Sequence, residues 1–151
     1  MRQPVPVDSW VWPVYLDTSA FVKLFVQEPE SDALNAELSA VGEIVLSDLA
    51  MTELASALAR RAREQVLTIA EAKRLYRHAE RIVASCRLVE STPPVQRRAA
   101  RLLLTSQQVP LRTLDAIHLA LAIESQVATL VTFDPRLREA AKAQGLYTAP
   151  D

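Results

Sequence analysis

Apolar residues recur along this chain in two rhythms, short runs of three or four and longer stretches with a helical repeat, and the two alternate. Val14-Tyr15-Leu16 predicts a strand ending at Asp17, followed by a short helix from Thr18 to Val26 that Pro29 breaks. Ser31 to Ala40 reads as a second helix and Ile44-Val45-Leu46 as the next strand. Ser47 is placed to N-cap a helix running to about Glu64. Thr68 and Glu71 have capping-box spacing for a helix to about Ser85. Arg87-Leu88-Val89 is a third strand, and Pro94 suits the first turn of a helix ending near Gln107. Thr113 is positioned to cap a helix reaching about Ser125, and Thr129 to Thr132 forms a fourth strand. Asp134-Pro135 makes an N-cap and N1 pair for a last helix that Gly145 ends. Leu146-Tyr147-Thr148 supplies a fifth, edge strand.

Strands separated by helices imply parallel pairing through right-handed crossovers, hence an α/β sandwich with a mainly parallel sheet of four to five strands. No repeat or low-complexity linker divides the chain, so one domain is expected over residues 14–151. Residues 1–13 read as an arm, because Pro4, Pro6 and Pro13 favour extended backbone. Trp10 and Trp12 in that arm call for a surface of the domain or of a partner to pack on.

Composition removes several function classes. Two glycines leave no phosphate-binding GxGxxG or Walker loop, and a single cysteine, Cys86, leaves no internal disulfide and no zinc cluster. A reducing cytoplasm is the expected location. No apolar run approaches the roughly 20 residues of a bilayer span, and the N-terminus has no apolar signal region. The net charge of −1 hides an asymmetry. Residues 60–101 hold eleven Lys/Arg against four acids, a balance of +7, and the remainder stands at −8. Fourteen of the seventeen basic residues are Arg, which suits bidentate phosphate contacts as well as solvated helix faces.

Four acids change the picture. In an open parallel sheet, ligands bind beyond the carboxyl ends of the strands. Asp17 ends the first strand and Asp134 follows the fourth; Glu53 lies in the second turn of the helix after strand two, and Asp115 in the first turn of the helix before strand four. All four therefore fall on one rim. Two carboxylates about 5 Å apart repel by roughly 3 kcal/mol at an effective dielectric of about 20. Protonation or a divalent cation relieves that repulsion, and oxygen-only ligation selects Mg²⁺ or Mn²⁺. Such a cation supports phosphodiester hydrolysis. Each acid also has a structural use: Asp17 and Asp134 as N-caps, Asp115 as a first-turn acid worth about 0.3–1 kcal/mol. Glu53 is harder to explain that way, since Ser56 and Ala57 at its helical neighbour positions offer no basic partner.

The segments VYLDTSAFVKLF, DLAMTELASAL, RTLDAIHLALA and LVTFDPRL resemble, in order, the acidic motifs of PIN-domain nucleases, and the short single-domain form is similar to the VapC toxins of toxin–antitoxin systems. The resemblance spans about Val14 to Gly145. It implies a three-layer α/β/α fold with sheet order 3-2-1-4-5, and Asp17, Glu53, Asp115 and Asp134 as the metal-binding catalytic quartet. Ser19 and Thr132 would be hydroxyls orienting acids or water; their structural alternatives are helix capping and ordinary strand propensity. The resemblance further implies an endoribonuclease, a homodimer, and neutralisation by a VapB-like antitoxin.

His118, one turn after Asp115, invites a general-base role, but Ile117, Leu119 and Leu121 around it favour a packed structural residue. His78, among arginines, reads as exposed, and Cys86 as a small core residue. A haloacid-dehalogenase-like phosphatase would need a second aspartate where Ser19 stands, and a receiver domain would need paired early acids and a late lysine; both are absent. A PIN-like nuclease outside toxin systems, and a PIN-like module that binds RNA or a partner without cutting, remain as alternatives.

Overall fold

The structure, a computed structural model, describes residues 10–39 and 42–150. The first nine residues of the expected arm, and Ala40 at the end of the expected second helix, lie outside the described residues.

Five strands, β1 (Val14–Leu16), β2 (Ile44–Ser47), β3 (Arg87–Val89), β4 (Thr129–Val131) and β5 (Tyr147–Ala149), form one sheet in the order β3-β2-β1-β4-β5. Every neighbouring pair is parallel, as the strand–helix alternation requires. Among the described residues, seven helices connect them: α1 (Thr18–Lys23), α2 (Ser31–Leu38), α3 (Ala50–Arg63), α4 (Ile69–Val83), α5 (Pro93–Thr105), α6 (Thr113–Glu124) and α7 (Pro135–Ala143).

The central strands β1 and β4 are buried on both faces because helices cover both. Alternate residues of β1 enter different cores: Tyr15 joins Val45 and Leu130 under α5, α6 and α7, whereas Val14 and Leu16 join Leu46 and Val131 under α1 to α4. Burial is complete in the central strands; Val14, Tyr15, Val45, Leu130 and Val131 are all 0% exposed. Truncating one of the larger of them to Ala costs about 2–5 kcal/mol. No described helix is long and apolar enough to cross a membrane.

Local signals set most element ends. Thr68 and Glu71 form the expected capping box on α4, Asp134 accepts from the Arg136 N–H at the start of α7, and Gly145 adopts a φ of 84° just beyond it. Two helix starts differ from expectation, and β5 begins at Tyr147, one residue later than expected. Ser47 ends β2, and its hydroxyl instead accepts from the Leu49 N–H at 2.8 Å in a turn, so α3 begins only at Ala50. Glu53 consequently sits in the first turn of α3, not the second. Thr113 is the first residue of α6 and not its cap; Asp115 reaches back to the Arg112 N–H at 3.2 Å instead.

Residues 10–13 pack onto the domain. Trp10 and Trp12 lie against the α1–α4 core, and Thr129 donates its hydroxyl to the Val11 carbonyl at 2.6 Å. Gly42 is required beneath the Trp12 ring, since a Cβ there would come within 2.1 Å of it.

Candidate active site

Asp17 leaves the end of β1 as the N-cap of α1, and it is only 4% exposed. One carboxylate oxygen accepts from the Ser19 hydroxyl at 2.7 Å and the Ala20 N–H at 2.9 Å. The other accepts from the Thr132 hydroxyl at 2.5 Å. Both hydroxyls also brace the β4–α7 connection: Ser19 Oγ accepts from the Phe133 N–H at 2.9 Å, and Thr132 Oγ1 from the Asp134 N–H at 3.0 Å. The segment after β1 and the segment after β4 are thereby tied together around a single carboxylate.

Asp17 makes no salt bridge among the described residues. Burial raises its pKa, and hydrogen bonds from Thr132, Ala20 and Ser19, with nearby His118, offset only part of that rise. Every direct donor is neutral. A buried carboxylate with no counter-charge is an unfavourable arrangement unless a cation completes it.

Glu53 approaches from α3 and His118 from α6. Glu53 Oε1 accepts from His118 Nε2 at 2.7 Å, and the Thr18 hydroxyl lies 3.1 Å from the same nitrogen. Burial alone would raise the Glu53 pKa; the hydrogen bond and charge of His118 and the Thr18 hydroxyl outweigh it and hold the carboxyl below its usual value. His118, 3% exposed, is buried as its apolar neighbours predict, and its other nitrogen lies 2.6 Å from the Tyr15 hydroxyl. Tyr15 is fully buried, which raises its pKa strongly, with Ser47 lowering it in part and Asp17, Glu53 and Asp48 adding to the rise. Its phenol is therefore neutral.

Asp134 and Asp115 are half-buried and serve their own helices. Asp134 accepts from the Arg136 N–H at 2.8 Å, and its own N–H reaches Thr132 Oγ1, which places it one bond from Asp17. Asp115 turns back to the N-terminus of α6. Of the six residues singled out in the sequence, Asp17, Ser19, Thr132 and Asp134 form one hydrogen-bonded cluster, Glu53 bonds His118, and Asp115 shares no hydrogen bond with the other five among the described residues. Among the described residues, no three acid, His or Cys side chains are drawn together as a ready metal cage.

Tyr15, Thr18 and the two-sided bonding of His118 were missed in the sequence. A signal existed: a buried imidazole requires a partner at each nitrogen, and Tyr15 shares a strand face with Asp17.

The basic excess of residues 60–101 divides when the side chains are placed. Arg61 pairs with Glu28 at 2.8 Å, Arg87 with Glu43 at 3.1 Å and Arg98 with Glu124 at 2.5 Å. Arg60 and Arg63 instead line a cavity of about 270 Å³ with Glu53, Ser56, Ala57, Thr18 and Leu114. A larger apolar cleft of about 670 Å³ beside Trp10, Leu34 and Tyr147 contains none of the four acids.

The PIN domain family model matches residues 14–143. Ribonuclease VapC46 of Mycobacterium tuberculosis is 40% identical over 135 residues, spanning 88% of this chain and 93% of that protein. Among solved structures, VapC20 of Mycobacterium tuberculosis, described as a sarcin-ricin loop cleaving toxin, superposes with a TM-score of 0.69 at 17% identity, over 85% of this chain and 95% of that one. A toxin-antitoxin complex from Klebsiella pneumoniae gives a TM-score of 0.61 at 17% identity, over 83% of this chain and 90% of that one.

Proposed function

Because the chain belongs to the PIN-domain family, and within it to the VapC ribonucleases, we propose that it is a divalent-metal-dependent endoribonuclease acting in the cytoplasm as the toxin of a toxin–antitoxin pair. The observation that carries this reading is the buried, counter-charge-free Asp17 at the carboxyl end of β1, held by Ser19, Ala20 and Thr132. Oxygen donors without His or Cys fit Mg²⁺ or Mn²⁺. Asp17, Glu53, Asp115 and Asp134 would hold the ion, the last two by exchanging their helix-capping bonds for it. When bound, the cation supplies Lewis-acid stabilisation of charge developing on a phosphodiester and acidifies a water for attack.

The remaining work falls to the chain itself. Ser19 and Thr132 fix the orientation of the Asp17 carboxylate. Arg60 and Arg63 project into the cavity that Glu53 also lines, where they would hold an RNA phosphate next to the one being cut. Leu103, Leu104 and Leu114 leave apolar side chains exposed around the α5–α6 connection, which suits a homodimer contact. A VapB-like antitoxin is the expected neutralising partner, in keeping with the toxin-antitoxin complex to which the fold is similar.

Incubation of the purified protein with structured RNA tests this reading. Cleavage is expected with Mg²⁺ or Mn²⁺, none with EDTA, and a loss of at least about 100-fold in Asp17→Asn and Asp115→Asn. Activity surviving EDTA and both substitutions would sink the metal-nuclease reading; RNA binding without cleavage under any condition favours a silent binding module. Replacing Arg60 and Arg63 with Ala should flatten the dependence of log affinity on log salt by about 0.7 for each lost phosphate contact on single-stranded RNA. An unchanged slope removes these arginines from the RNA path.

A further inference from the structure

Three elements contribute to a buried polar chain that the four acids do not require. Tyr15 in β1 lies 2.6 Å from His118 Nδ1, His118 in α6 lies 2.7 Å from Glu53 Oε1, and Glu53 stands on α3. Tyr15 belongs to the apolar core under α5, α6 and α7, and His118 is 3% exposed, so an unsatisfied polar group on either is costly. Keeping a phenol and an imidazole there needs a reason beyond packing, because Phe and Leu would fill the same space without desolvation.

The role of His118 Nε2 in the chain is determined by elimination. An ionised carboxylate only accepts, so the hydrogen on Nε2 points at Glu53. With one ring hydrogen, Nδ1 is an acceptor and the Tyr15 hydroxyl is the donor that faces it; with two, both nitrogens donate, and the bond from Nε2–H to Glu53 is the same. In both cases the Nε2–H points to the Glu53 carboxylate. Rotation of the ring is blocked as well, since both nitrogens are engaged and the Tyr15 and His118 rings meet edge-on with centroids 5.8 Å apart.

We infer that His118 is a positioning residue for Glu53, its ring held by Tyr15 with Nε2–H toward the carboxylate, so that the Glu53 carboxylate is presented to an incoming divalent cation in one orientation. This rests on the metal-nuclease reading above. Ligand carboxylates and imidazoles held by outer hydrogen bonds are a general means of raising metal affinity, and loss of such a partner typically costs 10–100-fold. Here the outer partner is itself held by a third group, and the three come from three separate elements, so the orientation is specified by the fold as a whole.

The test combines an apo measurement with a loaded one. The chain contains only two histidines, so long-range ¹H–¹⁵N spectra of the imidazoles, with His78→Gln for assignment, report the His118 tautomer directly. The Nε2–H form is expected in the parent, and a mixture of tautomers in Tyr15→Phe, which keeps the ring volume. Mn²⁺ affinity, read by EPR, should fall 10–100-fold in His118→Leu, less in His118→Gln, which keeps an N–H near the Nε2 position, and about 10-fold in Tyr15→Phe. For RNA cleavage by Tyr15→Phe, kcat should drop by a similar factor with KM within twofold. Thermal melts confirm that each variant is folded before it is compared. A parent with no hydrogen on Nε2, or a folded His118→Leu that binds Mn²⁺ within twofold of the parent, overturns the proposal. A parent that binds Mn²⁺ but cuts no RNA breaks the functional reading alone, and affinity and tautomer then still judge His118; a parent that binds no Mn²⁺ overturns both.

Discussion

Asp17 and Asp134 stand at the carboxyl ends of neighbouring strands, and each caps the helix that follows. Beyond that they differ. Asp17 is 4% exposed and receives two side-chain hydroxyls in addition to its capping N–H. Asp134 is half-buried, and the bond its carboxylate makes is to the first turn of its own helix. One carboxylate is fixed by the tertiary structure at the cost of desolvating its charge; the other caps a helix, for about 1 kcal/mol of stability, and stays in reach of water. Glu53 is half-buried too, but it is held by His118 from another helix and so belongs with the first kind, Asp115 with the second. The rim thus has a preset half, built from β1 and α3, and a half at the starts of α6 and α7 that can change partners for little energy.

The comparison makes an ordering of stabilities that can fail. Thr132→Val keeps the shape of the side chain and removes the hydroxyl that bonds Asp17 and receives the Asp134 N–H. A hydrogen bond to a charged group is worth about 1.5–3 kcal/mol, and the loss should show in full because Asp17 cannot recruit water. Asp134→Ala should cost about 1 kcal/mol, and Asp134→Asn almost nothing, since Asn caps as well as Asp does. Urea denaturation in the presence of EDTA ranks the three. Should Thr132→Val prove milder than Asp134→Ala, the two halves of the rim are not held differently.

Much of this was legible in the chain, and the reasons it was not all legible are specific. Strand and helix order, and the caps at Thr68 and Asp134, rest on local chemistry that works wherever the segment sits. The sheet order is a tertiary property that alternation leaves open; its 3-2-1-4-5 arrangement came by resemblance and agrees with the structure. The start of α3 went astray because Ser47 has two uses for its hydroxyl, and bonding the Leu49 N–H in a turn won over capping. At the site, each acid could be placed on the rim from its position in an element. Which acids are gripped could not, because the grip comes from Thr132, 115 residues from Asp17, and from His118, 65 residues from Glu53. A histidine flanked by Ile117 and Leu119 looks apolar in its surroundings until the partner across the sheet edge is known.

The pH dependence of stability reads the preset half most finely, because its two acids are shifted in opposite senses. Burial raises Asp17 beyond what Thr132, Ala20, Ser19 and His118 recover, so between its ordinary and its raised pKa the folded chain holds more protons than the unfolded one. Stability attributable to Asp17 therefore declines as pH rises above about 4 and levels off once the folded pKa is passed. Asp17→Asn escapes that decline, and its advantage over the parent in EDTA should grow with pH and then plateau. Glu53 is also raised by burial, but His118 and Thr18 carry it below its usual value. Its contribution is present above the ordinary Glu pKa and lost as pH falls through the lowered one, so Glu53→Gln should lose ground against the parent as pH rises toward about 4.5 and hold steady above. Two difference curves of the same sign would mean that His118 does not distinguish the two acids. Adding Mg²⁺ near neutral pH then separates cause from coincidence. A cation that relieves the uncompensated Asp17 charge should stabilise the parent, by about 2.7 kcal/mol at a hundred times its dissociation constant, and leave Asp17→Asn nearly unmoved. Equal stabilisation of both would place the ion somewhere other than at the carboxylate the fold has buried without a counter-charge.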